Sequence, residues 1–119
     1  MKANNNFKLA YLPEGTSFAK NSILVHVNCD IMESKNRNSI PNGSVVIGRP
    51  VAYNKLDSEV DYIVIDTSNN IFLGRPKTAL NSGITLQPCN SDYPDVFLHS
   101  TLLKSIYEIT DVYLKRSTE

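Results

Sequence analysis

The sequence predicts a mainly β domain. Short β-branched and aromatic runs recur along the chain, turn residues (Gly, Pro, Asn, Asp) separate them, and no sustained helical pattern competes until the last twenty residues. At 119 residues and 41% hydrophobic content the chain is sized for a single core, because domains typically run from about 100 to 150 residues.

Residues 1–22 carry Asn4, Asn5, Asn6, Pro13 and Gly15 among scattered apolar positions, so they read as an N-terminal arm or linker, with the domain at 23–119. Ile23-Leu24-Val25-His26-Val27 is the first strand. A polar loop from Cys29 to Asn42 ends in Ile40-Pro41-Asn42-Gly43, a turn signal because proline presets φ and glycine tolerates positive φ. Ser44-Val45-Val46-Ile47-Gly48 follows, closed by Pro50. Tyr62-Ile63-Val64-Ile65 and Ile71-Phe72-Leu73 read as a hairpin across Thr67-Ser68-Asn69-Asn70. Ile84-Thr85-Leu86 and Val96-Phe97-Leu98 each follow a turn signal, Asn81-Ser82-Gly83 and Asp92-Tyr93-Pro94-Asp95. In 101–115, Leu102, Ile106, Ile109 and Tyr113 have helical spacing, but the β-branching of Ile106, Ile109, Thr110 and Val112 favours a closing strand.

Twelve basic residues balance twelve acidic ones, so no overall field draws the chain to a phosphate backbone or an anionic membrane. Lys104, Lys115 and Arg116 form a sparse basic cluster that Asp111 and Glu119 cancel. Cys29 and Cys89 are too few for a disulfide framework, and His26 and His99 lie far apart, so neither a metal nor a cofactor is expected. No apolar run reaches the ~18 residues of a membrane span, and the opening MKANNNFKLAY is too polar for a signal-peptide core. A cytoplasmic protein is expected.

Val27-Asn28-Cys29-Asp30-Ile31-Met32-Glu33, followed by Ile40-Pro41-Asn42-Gly43-Ser44-Val45-Val46, resembles the LexA/UmuD-type self-cleaving peptidases, which carry Gly-Asp-Ser-Met and then a turn leading into a strand. Downstream, Asp61 to Ile65 resembles the strand before the family's lysine. Asn70-Ile71-Phe72-Leu73-Gly74-Arg75 is similar to the strand that ends on that lysine. Leu86-Gln87-Pro88-Cys89-Asn90-Ser91-Asp92-Tyr93 is similar to its Leu-x-Pro-x-Asn-x-x-Tyr segment, and 106–116 to its closing strand. The resemblance implies a LexA C-terminal-domain or signal-peptidase-like fold of short twisted strands and hairpins.

In that family a serine hydroxyl, deprotonated by a lysine kept neutral by burial, attacks a peptide carbonyl. Here Ile31 stands at the serine position and Gly74 at the lysine position, and the glycine before Asp-Ser-Met is Cys29. The arm has no Ala-Gly or Cys-Gly dipeptide to cut. The resemblance therefore implies an inactive relative whose vestigial cleft comprises Cys29, Asp30, Ile31, Met32, Leu73, Gly74 and Arg75. Gly74 is expected to open space there, and the arm from Phe7 to Phe18 or a partner's tail is expected to fill the groove.

Other readings compete at single residues. Cys29 could serve as a substitute nucleophile, which makes an active peptidase or autoprotease the alternative function, although strand alternation would turn His26 away from it. Ser34, Lys35 and Ser39 supply Ser-Lys atom types in a solvated loop. Arg75 is either a solvated charge or a carboxylate holder. Asn90 and Tyr93 read as turn-fixing residues.

The function expected is a non-catalytic dimerisation and protein-interaction module. The resemblance implies transcription regulation or the SOS response, either as the C-terminal half of a repressor or as a free-standing UmuD-like relative. A homodimer is expected through Ile106, Ile109, Val112, Tyr113 and Leu114, read as an exposed edge strand, with a peptide or protein partner in the cleft and no direct nucleic-acid or membrane contact.

Overall fold

In the computed structural model, residues 7–10, 21–34 and 39–113 are described. They form eight antiparallel strands: β1 (Phe7–Ala10), β2 (Ile23–Val27), β3 (Val45–Pro50), β4 (Tyr62–Asp66), β5 (Ile71–Leu80), β6 (Gly83–Gln87), β7 (Val96–His99) and β8 (Leu103–Tyr113). Their order in the curled sheet is β1-β2-β3-β8-β4-β5-β6-β7. Short 3-10 turns at Tyr53–Lys55 and Ser100–Leu102 punctuate the connections. The fold is mainly β, as the spacing of apolar runs and turns predicts.

Two apolar cores lie on opposite faces of β4. Ile63 and Ile65 point into the first, with Val25, Val27, Met32, Ile40, Val46, Leu73 and Cys89, whereas Tyr62 and Val64 point into the second, with Ile84, Leu86, Leu98 and Ile106. The two-residue period of a strand makes this division, and burial on both faces explains the unbroken apolar run Tyr62-Ile63-Val64-Ile65.

The predicted β4–β5 hairpin is present, with Ile65 opposite Ile71 and Tyr62 opposite Gly74. Asp66 organises its loop: Oδ1 accepts the N–H groups of Ser68 (2.9 Å) and Asn70 (2.8 Å), while Asn69 adopts φ +66°. At the turn before β3, Gly43 takes φ +95°, and the Ser44 N–H donates to the Pro41 carbonyl at 3.1 Å.

Three expectations need correction. Residues 1–22 are not solely an arm: β1 pairs with β2, Phe7 opposite Val27, and Phe7 is 4% exposed in the first core. Its flanking asparagines hid a four-residue strand. The strand beginning at Ile71 continues past Gly74 and Pro76 to Leu80. Pro76 is accommodated at a register shift between Pro76 and Thr78, where a missing N–H breaks no regular ladder. Finally, β8 is a strand, as its β-branching indicates, but not an edge: it runs between β3 and β4. Ile106 is buried in the second core and Ile109 packs on the first. Beyond Glu108 only β3 pairs with it among the described residues, and there Val112 and Tyr113 are exposed. Leu114 lies outside the described residues.

Among the described residues, no helix is long and apolar enough to cross a membrane.

Candidate functional site

β2 delivers the chain into a tight turn at residues 29–33, closed by the Glu33 N–H on the Asp30 carbonyl at 3.0 Å. Met32 anchors the turn in the first core at 0% exposed, and its carbonyl accepts the Ile40 N–H at 2.8 Å. Glu33 Oε2 accepts the Asn42 N–H at 2.8 Å, and the Gly43 N–H donates to the Val27 carbonyl at 2.7 Å. Both ends of the polar loop are thus bound to the base of β2 and β3.

The loop after β6 clasps this turn. Asn90 donates its backbone N–H to the Ile31 carbonyl (3.0 Å) and its side-chain amide to the Asp30 carbonyl (2.9 Å), while Tyr93 donates its hydroxyl to the Asp30 carboxylate. Asn90 also fixes its own loop, accepting the Asp92 N–H at 2.9 Å in an Asx turn. The turn-fixing role read for Asn90 and Tyr93 is present, with a reach across the fold that the sequence did not disclose. The hydrogen bond to Asp30, followed by partial burial and nearby carboxylates, raises the pKa of Tyr93.

Beside the clasp lies an apolar cavity of about 150 Å³, lined by Phe7, Ile31, Phe72, Leu73, Leu86, Pro88 and Val96. Of the residues expected to form a cleft, Ile31 and Leu73 line it. Cys29 packs against the first core, Asp30 is held by Asn90 and Tyr93 outside the cavity lining, and Met32 is wholly interior. Arg75 is half-buried, with Nε 3.7 Å from Asp61 Oδ1 and Nη1 3.7 Å from Glu59 Oε1. Phe7, Phe72, Leu86, Pro88 and Val96 were not named as cleft residues. Phe72 lies on the opposite face of β5 from Leu73 and packs on the second core, so alternation would not have flagged it, and Phe7 required knowing that β1 exists.

Gly74 opens no space. A Cβ there would lie 2.9 Å from the Gln87 carbonyl oxygen and 3.2 Å from its carbon, because β5 leaves β4 at this point and begins to pair with β6. The glycine permits two backbones to meet closely where the strand changes neighbours.

Neither cysteine forms a disulfide. Burial pushes the Cys29 thiol up, the Ile31 backbone hydrogen bond opposes this, and the carboxylates of Asp30 and Glu33 raise it further. That is the reverse of the electropositive setting a thiolate nucleophile needs. His26 lies on β2 between Val25 and Val27, both of which face the first core, so its side chain takes the other face.

Across the clasp from the cavity, Glu33, Ser34, Ser39, Pro41, Asn90, Ser91 and Asp92 border a broad open depression of about 640 Å³. Lys35, read with Ser34 and Ser39, lies outside the described residues. Lys104, far from this site in the sheet, donates to Asn69 Oδ1 at 2.7 Å. Among the described residues, no group of three or more His, Cys, Asp or Glu side chains could hold a metal ion.

The arrangement offers hydrocarbon walls, a rigid hydrogen-bonded rim and no poised nucleophile at Ile31 or Cys29. Compared with known proteins, the chain matches no family model, and no curated protein resembles it significantly.

Proposed function

We propose that the chain is a non-catalytic LexA/UmuD-like peptidase-fold domain that acts by binding polypeptide, with an extended segment in the Ile31–Leu73 cavity and a second copy along Val112 and Tyr113. One observation carries the reading: Asn90 and Tyr93 clasp Asp30 and Ile31. Two segments distant in sequence, each similar to a family motif, therefore meet beside a cavity able to receive an apolar side chain.

The chemistry of an active relative has no carrier at the matching positions. Ile31 presents only hydrocarbon, and Gly74 has neither an amine nor room for one. The alternative, a peptidase using Cys29, is disfavoured by the burial and acidic neighbours that keep its thiol protonated. Dimerisation is narrowed to the end of β8, where Val112 and Tyr113 are exposed beside backbone paired on one side only. The reading implies a cytoplasmic regulatory protein, the interaction half of a repressor or a free-standing relative.

Intact-mass measurement after prolonged alkaline incubation tests the catalytic half, and a single uncut species is expected. A product cut within residues 1–22 overturns it. Light scattering tests the dimer: the protein should be dimeric at micromolar concentration, and a Val112→Asp, Tyr113→Asp double variant monomeric with an unchanged unfolding midpoint. A monomeric wild type overturns that half.

A further inference from the structure

We propose that a second copy of this chain docks edge to edge on β7, with Phe97 opposite the partner's Phe97 and Asp95 opposite the partner's His99. The interface goes beyond the reading above: it is separate from the contact at Val112 and Tyr113 and does not use the cavity.

β7 ends the strand order, with β6 its only strand neighbour among the described residues. The Ser100 N–H donates to the Ser82 carbonyl at 2.9 Å, in line with the β6–β7 register, so the backbone groups of Leu98 and Val96 also turn toward β6. Those of Asp95, Phe97 and His99 then point away from it. The side chains of the same three residues take the face opposite the second core, and all three are exposed, Phe97 at 51%. They are also held in place beforehand. The Phe97 ring covers Gly83, where a Cβ would come within 2.7 Å of its Cζ, and it meets His99 edge-on at 5.5 Å between ring centroids. Lys77 donates to Asp95 Oδ2 at 3.1 Å. Exposed groups fixed in this way lose little freedom when a partner covers them.

Antiparallel pairing sets each residue opposite one on the same face, and a twofold axis makes opposite residues exchange roles between the copies. An axis at Phe97 meets both conditions along the strand. Phe97 faces Phe97, Val96 faces Leu98, and at each end the Asp95 carboxylate, which has lone pairs beyond the one given to Lys77, faces the ring N–H of the partner's His99. Backbone ladder and side chains thus use one register. An axis at Leu98 would carry the pairing into the 3-10 turn at Ser100–Leu102, and one at Val96 back into the loop 91–94. Spanning only residues 95–99 of each copy, the contact belongs to the small, transient class of interface.

Sedimentation equilibrium of the Val112→Asp, Tyr113→Asp variant, in which the contact proposed there is removed, tests the proposal. The mean mass should rise above that of the monomer at protein concentrations beyond about 100 μM. In that background Phe97→Asp should abolish the rise at an unchanged unfolding midpoint. So should His99→Pro, because His99 already has a φ of −61°, which proline adopts, and its N–H serves no bond to β6. Exchange reads the register: His99→Asp brings carboxylates face to face at both ends and should weaken association about five- to tenfold, and adding Asp95→His should restore it to within about threefold. No rise in mass up to about 1 mM, a rise indifferent to Phe97→Asp or His99→Pro, or an exchange that restores nothing overturns the proposal, whichever way the contact at Val112 and Tyr113 is decided.

Discussion

Tyr93 donates its hydroxyl hydrogen to the Asp30 carboxylate, joining loops 63 residues apart in the chain. With the two bonds from Asn90 to the backbone of Asp30 and Ile31, it fixes the turn that presents Ile31. Asn90→Ala removes the side-chain amide bond and the Asx turn, and should lower stability by about 1–2 kcal/mol, read as a lower urea midpoint at unchanged slope.

The same tyrosine makes stability depend on alkaline pH. The folded state raises the pKa of Tyr93, chiefly through the hydrogen bond to Asp30, and burial raises those of Tyr62 and Tyr53. A raised folded pKa means that the contribution is fully present below the ordinary value of 10.0 and is lost as pH rises through the folded value. The urea midpoint should hold from neutral pH to about 9 as far as these groups are concerned, then fall. Tyr93→Phe should make the fall shallower, and an unchanged slope would remove Tyr93 from the explanation.

Placing serine and lysine at the two positions matched by the proposed resemblance should not create cleavage. In an Ile31→Ser, Gly74→Lys double variant, the lysine Cβ would sit 2.9 Å from the Gln87 carbonyl oxygen, so β5 and β6 must part before an amine can be placed. Gly74→Ala alone should cost about 1–3 kcal/mol through the same overlap. Differential scanning calorimetry of the single variant and intact-mass analysis of the double variant check the two statements separately.

Phe7 is a core residue on the wall of the cavity. Phe7→Ala should destabilise the protein by about 3–5 kcal/mol, measured by denaturant unfolding. Amide exchange should quicken at residues 31–33 and 73–75, which share that cavity or its wall. Unchanged protection there would mean that β1 can leave without disturbing the site.

Cys29 should be a slow thiol. Its raised pKa leaves little thiolate at neutral pH, so iodoacetamide labelling in the folded protein should trail that of free cysteine and accelerate as pH rises through the folded value. Rapid stoichiometric labelling of Cys29 at neutral pH would revive it as a nucleophile.

The β class, the β4–β5 hairpin and the turn at Gly43 are legible in the sequence because each depends on neighbours: alternating burial, Asp66 capping its own loop, glycine accepting positive φ. The site is legible only in part. Ile31 and Leu73 are found only through the resemblance read in their segments. Phe7 and Val96 join them through strand order, which no local pattern encodes. The extension of β5 past Leu73 is not legible either, since Pro76 sits at a bulge where a missing N–H breaks no regular ladder. The reading of β8 as an edge errs because an apolar strand of β-branched residues looks alike at the edge of a sheet and at its centre; only the pairing of β8 with both β3 and β4 tells them apart.

That insertion of β8 governs how the protein can be made. Strands β3 and β4 have only β8 between them, so during synthesis the first hundred residues can build a β1-β2-β3 meander and a β4-to-β7 meander but cannot join them. Each waits with an unsatisfied inner edge, a template for wrong pairing. The sheet closes only when residues 103–113 have emerged from the ribosome, which makes the nascent chain dependent on that segment and most exposed to aggregation just before it arrives.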